Sequence, residues 1–334
     1  MSHDFIWRDA NRVVVFREGG IDDAPRLLAE HGMESFDLLS TERHLVDASG
    51  LAHVARAVHD VAPDGVPEAA AVLLDSTSAP NLVALGGGRV IDTAKAIAAV
   101  TGARVAAVPT TMSGAEMTGI HRLPAGAESR ARSLVRPRLV IADPEAMTSA
   151  PEPELRASSM NALAHGADSL YTPFTNPVSV MTALRGAESI ARSLDEEPSS
   201  RDRAALALGS ILCGYAIDSG AFAIHHVVCQ TLVRVCGSPH AGTNAAILPR
   251  AMSFMASRAP KQIAALATAL GTPSDQIESR ILHLGGNPPG LGQLGADKGK
   301  LDEALDAMLL RPELGFTPEA PTKVDLEELI ERAW

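Results

Sequence analysis

Leu85-Gly86-Gly87-Gly88-Arg89-Val90-Ile91-Asp92-Thr93-Ala94-Lys95 is the stretch that decides the fold of the N-terminal half. The apolar run Asn81-Leu82-Val83-Ala84-Leu85 leads into it as a strand, and an amphipathic helix leads out from Val90. Three adjacent glycines let the backbone approach a ligand closely, and the N–H groups that open a helix have no partner of their own, so a phosphate suits the place. A tight turn with no ligand explains the glycines less well, because a strand-to-helix junction does not by itself demand three of them. The spacing is not GxGxxG, so taken alone it leaves a dinucleotide, a mononucleotide and a sugar phosphate open.

Outward from this turn, short β-branched runs alternate with amphipathic stretches up to about residue 143. Arg12-Val13-Val14-Val15-Phe16 reads as a strand, Ile21 to His31 as a helix and Phe36-Asp37-Leu38-Leu39-Ser40 as a strand. A helix is expected around Leu51 to Val61, then an apolar segment near Ala69 to Leu74, and further strands at Arg104 to Val108 and Leu139 to Ala142. This rhythm predicts an α/β domain built on a parallel, Rossmann-like sheet. Beyond Asp143-Pro144 the texture becomes Ala- and Leu-rich with a 3.6-residue period, as in Ala183 to Leu194, Arg201 to Ser219 and Pro260 to Leu270, and an all-α domain is expected. The boundary falls at 1–148 and 149–334, with Gly285 to Gly292 read as an interhelical loop.

The 334 residues suffice for two cores, and a formal charge of −11 with no Lys/Arg run argues against a nucleic-acid partner. Cys213, Cys229 and Cys236 make no CxxC pair and read as reduced, buried small hydrophobes. The first residues carry charge and no apolar leader, and no stretch is apolar enough to span a bilayer, so a cytoplasmic protein without membrane contact is expected.

A second segment, Pro109-Thr110-Thr111-Met112-Ser113-Gly114-Ala115-Glu116-Met117-Thr118, also follows a strand, and its hydroxyls suit a loop around a phosphate or carboxamide, though such residues also populate ordinary turns. The order of these motifs, followed by Asp143-Pro144-Glu145 and His-bearing helices, resembles the iron-containing alcohol dehydrogenase superfamily over nearly the whole chain. Ser159-Met160-Asn161-Ala162-Leu163-Ala164-His165 is similar to its maleylacetate reductase branch. The resemblance implies a dehydroquinate synthase-like architecture, a dinucleotide-binding N-terminal domain, an active site in the cleft beside a helical domain, and a homodimer. It assigns cofactor contacts to Gly87, Gly88, Thr110, Thr111 and Ser113, and Gly86 and Arg89, beside them in the turn, are read as cofactor contacts as well. Arg89 and Ala115 each stand where the family usually has Ser. Glu42 favours NADH by pairing with ribose hydroxyls, while Arg43 leaves NADPH open as the acceptor of a 2′-phosphate.

The resemblance also singles out His165, His226 and His240. In metal-dependent members the matching histidines, with an Asp at the position of Asn161, hold a divalent ion. Asn161 is a neutral and poorer ligand, so a metal-free site is favoured here, although three histidines with water remain a legitimate zinc geometry. His225, His3, His53 and His121 read as ordinary core or surface residues. Gln230 and Asn244 stand where the branch has His, and Gln cannot relay a proton. The function expected is an NAD(P)H-dependent, maleylacetate reductase-like reductase converting maleylacetate to 3-oxoadipate in aromatic degradation, with His226 or His240 polarising or protonating the oxyanion. A dicarboxylate would need cations, and Arg122, Arg234 and Arg250 neighbour the motifs. Two alternatives stand beside this: a metal-dependent alcohol or aldehyde dehydrogenase, and a catalytically inactive nucleotide-binding partner subunit.

Overall fold

The computed structural model describes residues 5–9, 12–45 and 49–334, with side chains for 12–44 and 50–334; His3 lies outside them. The chain forms two compact units, Met1–Ala150 and Pro151–Trp334.

In the first unit the elements run β1 (Phe5–Asp9), β2 (Arg12–Phe16), α1 (Ala24–Glu30), β3 (Phe36–Ser40), α2 (Glu42–Leu45), α3 (Ser49–Val54) and β4 (Ala57–Asp60). They continue with α4 (Val66–Leu73), β5 (Asn81–Gly86), α5 (Gly88–Thr101), β6 (Arg104–Pro109), β7 (Leu139–Ala142) and α6 (Pro144–Met147). The strands form one sheet in the order β1-β2-β7-β6-β5-β3-β4, parallel except for the antiparallel edge pair β1–β2. The two-residue period of β5 serves both faces of the sheet. Leu82 and Ala84 join Ile91, Ile97 and Val105 in one apolar cluster, while Val83 and Leu85 join Phe36, Leu28 and Val108 in the other.

One expectation needs correction. The helix read over Leu51 to Val61 stops at Val54, and Ala57–Asp60 is instead a strand paired with β3. Its side chains alternate between half-buried and exposed at the edge of the sheet, so it lacks the continuous apolar run that marked the inner strands. The apolar segment Ala69 to Leu74 falls largely within α4, its short side chains packed toward α5. The antiparallel β1 also departs from an all-parallel sheet.

The order of the strands reverses between β3 and β5, and in open α/β sheets that switch point, at the carboxyl ends of the strands, is where nucleotides bind. A cavity of about 370 Å³ lies at the carboxyl ends of the strands, reaching from Ile21 after β2 and Asp143 and Glu145 after β7, past Thr110 and Leu85, to His44 after β3.

The second unit contains α7 (Glu152–Ser169), α8 (Pro177–Asp195), α9 (Arg203–Gly220), α10 (Ile224–Cys236), α11 (His240–Arg258), α12 (Pro260–Ala269), α13 (Ile277–Leu284), α14 (Leu301–Leu309) and α15 (Lys323–Glu331), with a short 3₁₀ turn at Pro312–Phe316. Helices α8 and α9 meet backbone to backbone: a Cβ on Gly186 would stand 2.8 Å from the Gly209 carbonyl and 2.6 Å from Cys213 Sγ. Cys213, Cys229 and Cys236 are free and buried, and burial pushes the Cys213 thiol up to about 12, which keeps it an inert packing group. No single helix among the described residues is long and apolar enough to cross a membrane.

Candidate active site

The glycine turn and the hydroxyl-rich loop, separate in sequence, meet in the first unit. Gly86 and Pro109 are register partners on β5 and β6, and the Thr110 N–H donates to the Gly86 carbonyl at 3.1 Å. Gly86 has φ +155°, where a Cβ would collide with Val90 Cγ2 at 2.8 Å. A Cβ on Gly87 would lie 3.1 Å from Thr111 Oγ1, and one on Gly88 would lie 2.9 Å from Ser113 Cβ. The triplet is therefore required by close approach of the second loop as well as by backbone conformation. Gly87 is the N-cap of α5 and no side chain caps that end, so the helix presents the donors and the positive dipole end that a pyrophosphate needs. Arg89 sits half-buried in the first turn of α5, and the Thr110 hydroxyl lies 3.2 Å from His44 Nε2. A dinucleotide fits this cradle.

In the same loop, Glu116 is fully buried, and its Oε1 has no hydrogen-bond partner among the described residues. Burial raises its carboxyl to about 7. The nearby Lys95 ammonium is committed elsewhere, to Asp92 and to the carbonyls of Ala115 and Ile120.

The histidines gather in the second unit. Asn161 and His165 lie one turn apart on α7 and are both buried, and the His165 ring stacks on that of His226 with centroids 5.0 Å apart and an 18° interplanar angle. His226 is held by Asp168, whose Oδ2 accepts its Nδ1–H at 2.8 Å. The carboxylate also accepts the backbone N–H groups of Ala223 and His226 at 3.0 and 3.1 Å and the Tyr171 hydroxyl, so it caps α10 while it orients the imidazole. Burial alone would raise the Asp168 carboxyl; the hydrogen bond and charge of His226, with help from His225 and Tyr171, outweigh it and hold the group well below the usual carboxylate range. Because a carboxylate only accepts, Nδ1 of His226 carries the proton, and Nε2 is buried with no partner among the described residues. Burial, then the neighbouring His226, His240 and His225, hold His165 well below the usual histidine range. Its Nδ1 likewise lacks a partner among the described residues.

His225 is a fully buried core residue: its Nε2 lies 2.9 Å from Asn244 Oδ1, and burial lowers it to about 3. Asn244 also donates to the His240 carbonyl at 2.8 Å and lies 3.3 Å from His240 Nε2, so one amide braces two histidines where the branch often has a third. His240 is exposed at the start of α11. His53 is exposed, and His121 is satisfied by the Arg122 carbonyl and the Val135 N–H. The turn into α10 carries strain, since Ala221 has φ 57° and ψ −174°.

The arginines nearest the motifs differ in their surroundings. Arg122 and Arg234 are exposed, and Arg250 is tied to Glu278 and the Arg332 carbonyl. Arg311, from the 3₁₀ region, lies instead over the Phe222 ring at 6.0 Å, and Phe222 lies 5.7 Å from the His226 ring. Sequence reasoning missed Arg311 and Asp168. For Asp168 a signal existed, three residues after His165 on one helical face; for Arg311, 81 residues beyond Gln230, there was none.

Residues 11–144 match the family described as Iron-containing alcohol dehydrogenase, and residues 156–334 match Fe-containing alcohol dehydrogenase family, C-terminal. Maleylacetate reductase 1 of Rhodococcus opacus is 36% identical over 280 residues, covering 81% of this chain and 78% of that protein. Maleylacetate reductase 2 of Cupriavidus pinatubonensis is 34% identical over 284 residues, covering 81% and 79%. The crystal structure of maleylacetate reductase from Agrobacterium tumefaciens superposes with a TM-score of 0.84 at 27% identity, covering 100% of this chain and 99% of that one. The chain belongs to the iron-containing alcohol dehydrogenase family, in its maleylacetate reductase branch, and is an NAD(P)-dependent oxidoreductase.

Since the family is described as iron-containing, the comparisons lend nothing to the expected absence of a metal. The donor set of this chain can be judged directly. Among the described residues, no three His, Cys, Asp or Glu side chains are grouped where an ion could bridge them. Asp168 is consumed by the α10 N-terminus and His226, Asn161 offers an amide, and the exposed His240 has the Asn244 amide beside its Nε2. With an amide at Asn161 in place of a carboxylate, the set lacks one anionic ligand that would help hold a divalent ion, while His165 Nδ1 and His226 Nε2 are buried ring nitrogens with no partner among the described residues.

Proposed function

We propose that this enzyme is a maleylacetate reductase, working without a metal, that converts maleylacetate and reduced nicotinamide to 3-oxoadipate. The observation that carries the reading is the Asp168–His226 pair, which fixes the imidazole tautomer and leaves a buried Nε2 with no partner among the described residues. Gly87, Gly88, Thr110, Thr111 and Ser113, with Arg89 in the first helical turn, hold the dinucleotide. When bound, the reduced nicotinamide supplies hydride to an electron-poor alkene conjugated to a carbonyl.

The chain's own part is electrostatic and acid-base. Negative charge develops on the 4-oxo oxygen as the alkene is reduced. His226 turns Nε2 to that oxygen as the proton-transferring atom, while Asp168 keeps the ring oriented through Nδ1. The buried, charge-repelled His165 stays neutral at pH 7 and walls the site by stacking on His226. His240, braced by Asn244, is the second candidate donor. Burial of the His165 and His226 rings keeps bulk water from competing for the reacting oxygen.

Glu42 follows β3 and is exposed, where it can accept from ribose hydroxyls, so NADH is the preferred cofactor. The active form is a homodimer, as in the reading of the family above. The test is to follow NADH oxidation by the purified protein with maleylacetate and a panel of simple aldehydes. Turnover of maleylacetate with no activity on the aldehydes supports the reading; aldehyde reduction alone refutes it.

A further inference from the structure

Gln230 lies four residues after His226 on α10, so both side chains belong to one helical face. Its Oε1 accepts from Arg311 Nη2 at 3.0 Å, and Arg311 Nε donates to Glu313 at 3.0 Å. The third nitrogen, Nη1, has no acceptor among the described residues, and the Arg311 side chain retains 21% of its exposure. The guanidinium lies over Phe222, and Phe222 in turn lies against His226. A half-buried cation is thus held in a fixed orientation, by one carboxylate at Nε and one neutral amide, a phenyl ring away from the proposed proton donor.

We infer that Arg311, oriented by Gln230, binds a substrate carboxylate remote from the reacting carbon. The inference rests on the reductase reading above and names, for the same site, the residue that recognises the far acid group of the diacid. The physical case has three parts. A guanidinium with an open edge in a partly desolvated place pairs with a carboxylate through charge-assisted hydrogen bonds. Glu313 engages only Nε and Gln230 only Nη2, so Nη1 remains for the ligand. Gln230 supplies an acceptor without a negative charge, which fixes the guanidinium and leaves its charge uncompensated on that side. A histidine in place of Gln230 would bring a titratable ring beside the cation. The glutamine therefore trades a proton-relaying group for an orienting one, which gives this departure from the branch a function.

The test compares maleylacetate with a 4-oxo-2-enoate that lacks the remote carboxylate, using wild type, Arg311→Ala, Arg311→Lys and Gln230→Glu. Losing the charge-assisted contact should raise KM for the diacid on the order of 10- to 100-fold in Arg311→Ala, with kinetics on the monoacid and the Kd for NADH unchanged. Arg311→Lys should recover part of the loss. The near-isosteric Gln230→Glu, which places a carboxylate on the guanidinium, should raise KM for the diacid alone. Calorimetric titration of adipate, a dicarboxylate that cannot be reduced here, provides a readout independent of turnover. If wild type does not reduce maleylacetate yet binds adipate in an Arg311-dependent way, the carboxylate site stands and the proposed reaction falls. Reduction of maleylacetate with equal kinetics in Arg311→Ala, parallel losses on diacid and monoacid, or adipate binding that is absent or indifferent to Arg311 overturns the inference.

Discussion

The carboxylate of Asp168 and the imidazole of His226 are joined Oδ2 to Nδ1 at 2.8 Å with both side chains buried, and the same carboxylate caps the helix that carries the histidine. One anion thus fixes the position of the helix and the tautomer of the ring it presents.

Asp168→Asn separates these duties. An amide can still accept from one N–H, but it lacks the charge and can present its NH₂ to Nδ1, which would force the opposite tautomer. A fall in kcat on the order of 100-fold is expected, with the Kd for NADH unchanged, because the cofactor cradle is built from other residues. Thermal unfolding should show a loss of about 2–4 kcal/mol from the disrupted buried network. A kcat within twofold of wild type would remove Asp168 from any role in orienting the acid.

Glu116 provides a pH-dependent stability. Burial raises its carboxyl to about 7 in the folded protein, whereas an unfolded glutamate titrates near 4.3, about the reference value. The folded state therefore binds the proton more tightly, and the stability this confers is complete below the unfolded pKa. It is lost as pH rises through the folded value, by a total of a few kcal/mol, on the order of that shift. The neutral isostere Glu116→Gln should be without this loss, so its stability relative to wild type should increase between pH 4.5 and pH 8 in parallel denaturant titrations. A difference that stays constant over that range would contradict a raised Glu116.

Gly88→Ala tests the cradle. Its Cβ would stand 2.9 Å from Ser113 Cβ, so the two loops must part or α5 must shift. The expected result is a rise in the Kd for NADH on the order of tenfold or more, measured by fluorescence titration. Gly299→Ala, at an exposed site outside this loop, serves as the control and should leave the Kd unchanged.

Much of this architecture was legible because its signals were local. The strand Asn81–Gly86 declared itself through a two-residue period and the glycines after it, and α8 and α9 through a 3.6-residue period. The strand Ala57–Asp60 was not, because an edge strand with one half-buried face offers no continuous apolar run. In the site, His165 and Asn161 were readable from helical spacing. The pairing of Asp168 with His226 joins residues 58 apart, and that of Gln230 with Arg311 joins residues 81 apart. Only tertiary packing brings those groups together, and a motif cannot encode it.

In the metal-free reaction proposed above, the chain's own imidazoles handle the charge that develops during reduction. The most direct measurement is the rate of NADH oxidation with maleylacetate before and after exhaustive chelation, with metal content assayed on the same samples. The account predicts an unchanged kcat in protein containing far less than one metal per chain. Activity lost on chelation and restored by a divalent ion would contradict it.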